Sequence, residues 1–173
     1  MFGAFVTLFL AASIAHAHPQ KAYGGNLAEV LTQNGYTKLV ELVVAAGLAD
    51  TVSNEGPFTV FAPTNAAIAA LDPTLVQSLL DDTEKLRSVL LYHVVPGQVF
   101  SKDLSNNQIV NTAQGSSVKI NIFKYHYTPV VKVNGVRVVQ ADLVARNGVI
   151  HGIEKVLIPP QPNPRPHHYS HRG

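Results

Sequence analysis

Apolar and polar positions follow two different rhythms along this chain, and the change falls near its middle. Asn26 and Glu29 stand at capping-box spacing, where the two side chains satisfy orphan N–H groups reciprocally. They predict a short helix through Val30 and Leu31 that ends near Gly35. Tyr36 to Ala46 carries Leu39, Leu42, Val43 and Ala46 at helical intervals, with Gly47 placed as the residue after the helix. Leu48 to Ser53 predicts one more helical turn. Phe58 to Phe61 is a short run of strand-forming residues, and Pro63, which has no N–H for a ladder, ends it. Thr64 is placed to cap the alanine-rich helix that follows, Ala66 to Leu71. Pro73 opens the next helix at a position that tolerates proline, and Thr83 is the expected cap of a helix running from Glu84 to Tyr92.

Beyond Pro96-Gly97 the period drops to two. Val118, Ile120 and Ile122 point one way, with Lys119 and Asn121 the other. Val131 to Val138 predicts a hairpin about Asn134-Gly135, the pair that best tolerates a type I′ turn. Val149 to Ile158 predicts a last apolar strand. The first half is therefore mostly helical and the second alternates as strands do, within one domain over 23–159 preceded by a lead-in at 18–22.

The ends differ in character. Met1 to Ala17 has no Asp, Glu, Lys or Arg, an apolar run near Phe5 to Ile14, and Ala15-His16-Ala17 as a small-x-small cleavage pattern. It is shorter than the roughly 20 residues of a membrane span, so it predicts a cleaved secretory signal and an extracellular protein without a membrane anchor. From Pro159 there are five prolines in eight residues, and 160–173 is expected to be a disordered Pro/His-rich tail.

Composition narrows the chemistry. A chain of 173 residues, 46% hydrophobic and 14% charged, suits one globular domain with short tails. With no cysteine there is no disulfide, thiolate metal site or cysteine nucleophile. The net charge of +2 is too small to point to nucleic acid. Its distribution is uneven: His18 to Val95 holds four Lys/Arg against eight Asp/Glu, whereas Pro96 to Gly173 holds nine against three. Either the halves neutralise one another on folding, or the second half presents a basic face to an anionic matrix polymer.

Few residues suggest reactivity. His93 follows Tyr92 in an apolar setting with no nucleophile or acid nearby, so its expected role is to hold buried backbone groups, as is that of His151. No paired carboxylates or nucleophile–base pattern can be read, and neither an enzyme nor a cofactor is expected. Lys132 and Arg137 face each other across the predicted hairpin, where like charges are tolerated if solvated. The alternative is that they grip sulfate or phosphate groups together with Lys119 and Lys124. His167, His168 and His171 are weak candidates for zinc, copper or nickel, because a flexible tail offers no prepared geometry or supporting shell.

Three ordered blocks carry more weight. They are Thr59-Val60-Phe61-Ala62-Pro63-Thr64-Asn65, Leu91-Tyr92-His93-Val94-Val95-Pro96-Gly97, and Asn147 to Leu157. In this order and spacing they resemble the first conserved block, the Tyr-His motif and the second conserved block of the fasciclin domain, over nearly all of 23–159. The resemblance implies an α+β fold, a cluster of helices from the N-terminal half packed on a wedge-shaped β-sandwich, with Phe61, Pro63, Thr64, Asn65 and His151 as structural residues. It also implies cell adhesion or extracellular-matrix binding. In the family, integrin contact is attributed to the Tyr-His motif with its aliphatic flanks and to an Asp-Ile pair before the second block. Here Tyr92 and His93 match the first, and Asp142-Leu143 the second, with Leu143 in place of isoleucine and Ala141 in place of a frequent proline. On physical grounds Tyr92 and His93 are expected to be buried supports, and Asp142 has the alternative role of a turn or cap residue. The expected partners are matrix proteins or glycosaminoglycans, with integrins as a further class. Two other functions stay open: a small-ligand carrier with an apolar cleft between helices and sheet, and an organic-matrix component of a mineralised or cuticular structure.

Overall fold

The computed structural model describes residues 25–160. Its elements are α1 (Leu27–Gln33), α2 (Thr37–Ala45), α3 (Ala49–Asn54), β1 (Phe58–Pro63), α4 (Asn65–Ala69), α5 (Pro73–Asp81), α6 (Thr83–Tyr92), β2 (Val94–Pro96), β3 (Ile109–Asn111), β4 (Ser117–Tyr125), β5 (Thr128–Val133), β6 (Val136–Ala145) and β7 (Gly148–Ile153). A 3-10 turn, Ser101–Asp103, lies between β2 and β3. Among the described residues no helix is long and apolar enough to cross a membrane.

Local chemistry explains most boundaries. Both arms of the Asn26/Glu29 capping box are made, and Gly47 leaves α2 in the left-handed region at φ 68°. Thr64 accepts from the N–H of Ala67 at the start of α4. At α6 the cap is Asp82, one residue earlier than expected: its carboxylate accepts from the N–H of Lys85, and Thr83 becomes the first helical residue. Asp and Thr both cap well, and here the carboxylate occupies the capping position.

The strands form one sheet in the order β2-β1-β7-β6-β5-β4-β3. All neighbours are antiparallel except β1 and β7, which run parallel from Phe58/Gly148 to Pro63/Ile153. The last strand therefore stops at Ile153 and not at Ile158, because its partner ends at Pro63, which cannot extend a ladder. The sheet curls until its two ends approach, where the N–H of Ala113 donates to the carbonyl of Val94 at 2.7 Å.

This curl divides the interior in two. Val60 and Ala62 of β1, Leu143 and Ala145 of β6 and Ile150 of β7 pack against the helices. Phe61, Tyr92, Val118, Ile120, Val133, Ile153 and Leu157 fill the inside of the wedge. Strand β1 is thus buried on both faces, which accounts for its lack of charge.

Candidate functional site

The two interior histidines act as backbone clamps. His93 ends α6, is 2% exposed, and accepts from the N–H of Leu157 at Nε2, 2.9 Å away. That places the proton on Nδ1, which donates to the carbonyl of Val89 at 2.7 Å. Burial pushes its pKa down to about 4, so the ring is neutral near neutral pH. His151 accepts from the N–H of Asp142 at Nδ1 and donates from Nε2 to the carbonyl of Val99 at 2.8 Å. Burial lowers its pKa as well, and its ring stacks on Phe61 at 5.8 Å between centroids. All four ring nitrogens are engaged with backbone.

Tyr92 is equally buried. Its hydroxyl donates to the carbonyl of Ser117 and accepts from Nδ2 of Asn134, at 3.3 and 2.8 Å, joining α6 to the two hairpins. Leu143 is 7% exposed and belongs to the core beneath the helices. Of the residues matching the family's adhesion motifs, Asp142 alone presents its side chain at the surface. That carboxylate accepts from the N–H of Ser101 at 2.7 Å and from the Ser101 hydroxyl, tying β6 to the 3-10 turn. Asn65 is structural too, bonding the N–H of Lys38 and the hydroxyl of Thr37 at the start of α2.

Exposed cations and aromatic rings gather on the outer face of β4–β6. Inward positions of β4 are Val118, Ile120 and Ile122, so Lys119, Asn121, Phe123 and Tyr125 alternate outward. Asn121 pairs with Lys132 of β5, and Lys132 pairs with Arg137 of β6, so Lys119, Lys132 and Arg137 share one face. The Lys132 ammonium lies 5.5 Å from the centroid of the Phe123 ring, a cation–π arrangement. Phe123 and Tyr125 are 53% and 69% exposed. Among the described residues the ion pairs are Lys38–Glu41 and Lys85–Asp82, so these three cations have no carboxylate partner. Lys124 does not join them. It pairs with Pro129 and falls on the opposite side of the strand, because successive side chains point to alternate faces.

The sequence reading missed the aromatic tip of the β4–β5 hairpin. Tyr125 pairs with Thr128, which leaves His126 and Tyr127 to make the turn, both in the left-handed region at φ 44° and 70°. Tyr125 and His126 meet edge to face at 4.5 Å. Three consecutive aromatic residues between two alternating runs were the available signal. His167, His168 and His171, the leader expected at 1–17 and the lead-in expected at 18–22 lie outside the described residues.

A family model for the fasciclin domain matches residues 34–159. The chain belongs to the fasciclin family. A Synechocystis protein is 43% identical over 72% of this chain and 68% of its own length. Transforming growth factor-beta-induced protein ig-h3 of Sus scrofa is 34% identical over 82% of this chain but only 20% of its own length. Among solved structures, a FAS1 domain pair from the insect cell adhesion molecule fasciclin I matches with a TM-score of 0.61 and 26% identity, covering 73% of this chain and 47% of that one. This fasciclin domain has the expected α+β architecture, helices packed on a wedge of strands.

Proposed function

We propose that this fasciclin domain is a secreted, non-enzymatic matrix-binding module whose outer β4–β6 face takes an anionic polysaccharide. The observation that carries this reading is the grouping of Lys119, Lys132 and Arg137 on one face beside exposed Phe123 and Tyr125. Ammonium and guanidinium groups attract sulfate and carboxylate, the latter cation in a planar fork suited to such oxygens. Aromatic rings beside them supply rigid apolar area for the C–H face of a sugar ring. Adhesion is also the role printed for one structural relative, the insect cell adhesion molecule fasciclin I. An integrin contact is less well served, because Tyr92, His93 and Leu143 are interior.

Retention on a heparin column tests the face directly. Protein produced from the full chain is expected to elute well above physiological salt, and the Lys132→Ala/Arg137→Ala double variant distinctly earlier, since each lost cation weakens a screened attraction. Lys124→Ala is expected to change little. Unchanged elution of the double variant rejects the face as the site. N-terminal sequencing of secreted protein, expected to begin at His18, tests the leader.

A further inference from the structure

We propose that the cleft between the helices and the sheet is a binding site for one small apolar molecule ending in a hydroxyl, such as a medium-chain or terpenoid alcohol. This goes beyond the polysaccharide face and does not depend on it.

The cleft has a volume of about 230 Å³ and is walled by Leu31 of α1, Leu39 and Val43 of α2, Val60 of β1 and Leu90 of α6. An apolar cavity of about 150 Å³ is enough to bind benzene, whereas drug-sized ligands occupy roughly 300–1,000 Å³. The space suits on the order of eight non-hydrogen atoms at the ~30 Å³ each that liquid water occupies. Two exposed lining residues, Glu55 and Ala113, mark where it opens to solvent.

The polar groups around it choose among apolar molecules. No Lys or Arg lines the cleft. His93 reaches the wall, but both its ring nitrogens are held by backbone and offer a ligand nothing. Glu55, an exposed residue of the lining, stands at the opening, and Asn147 holds its backbone carbonyl. There the carboxylate accepts from the Thr51 hydroxyl at 3.4 Å, a long bond that leaves acceptor capacity on both oxygens. A fatty acid seated in the cleft would bring its own carboxylate against that of Glu55, and like charges repel. An alcohol places an O–H donor there instead. The charge at the mouth therefore selects donor-ended apolar molecules over fatty acids.

Isothermal titration of protein from the full chain with 1-octanol and with octanoate at pH 7.5 tests this. We expect 1-octanol to bind and octanoate to bind at least tenfold more weakly. Glu55→Gln should bring the two within about threefold. Ala113→Phe, at an exposed position that leaves the core unaltered, should abolish octanol binding while keeping the native circular dichroism and heparin retention. Absence of octanol binding by the wild type overturns the proposal, as does octanoate binding as tightly as octanol, or octanol binding that survives Ala113→Phe in the folded variant.

Discussion

A proton added to His93 must go to Nε2, the atom that accepts from Leu157, so protonation breaks a buried bond and leaves a charge in the core. The folded ring is held at a pKa of about 4, against an ordinary 6.5. The folded value is the lower one, so the stabilisation is complete above pH 6.5. It drains away as pH falls from there toward 4, where the unfolded chain takes a proton the native state refuses. At about 1.4 kcal/mol per pH unit, His93 alone removes on the order of 3 kcal/mol across that window. His151 acts in the same direction. Urea unfolding at pH 7.5 and pH 5 should show a lower midpoint in acid. His93→Gln should be less stable at pH 7.5 yet depend less on pH, and a variant as acid-sensitive as the wild type would show that other groups set the slope.

Among elements, the parallel pair β1 and β7 sets the tightest constraint. A Cβ added at Gly148 would press on the backbone carbonyl of Phe58, which no rotamer change can relieve. Gly148→Ala is expected to cost about 3 kcal/mol by forcing the two strands apart. Gly135→Ala, in an open turn at φ 83°, should cost only about 1 kcal/mol from left-handed strain. Chemical denaturation of the two variants separates these cases, and equal losses would mean that the strand contact yields more easily than its geometry suggests. The hairpin containing Gly135 was legible because Asn-Gly announces its own turn, whereas His126-Tyr127 has no such composition. Its turn is imposed by the pairing of Tyr125 with Thr128.

At the scale of the whole molecule, Asn147 fastens the β6–β7 turn to the N-terminal helices. Its Oδ1 accepts from the N–H of Leu27 at 2.9 Å, and its Nδ2 donates to the carbonyls of Val52 and Glu55 at 2.8 and 2.7 Å. Truncation leaves unpaired the part-buried N–H of Leu27 in α1 and carbonyl of Val52 in α3, and frees the exposed carbonyl of Glu55 just past α3. Asn147→Ala should therefore lose about 2–3 kcal/mol, against about 1 kcal/mol for removing the local cap with Asn26→Ala. Equilibrium unfolding checks both, and a smaller loss at Asn147 would mean that water replaces the clamp. From the sequence Asn147 was simply part of a family block, since its partners are remote in the chain.

Sequence alone determined the features whose causes lie within a few residues: the Asn26 and Thr64 caps, the Asn134-Gly135 turn, the break at Pro63, and the ordered blocks that mark a fasciclin domain. The tertiary structure decided which segments lie side by side. Pairing β1 with β7 ended the last strand early, the β6 register sent Leu143 inward, and the pleat of β4 parted Lys124 from Lys119, Lys132 and Arg137. Propensity and capping act through neighbours in the chain, whereas burial, register and shared faces depend on the partner strand or helix, which no local stretch specifies.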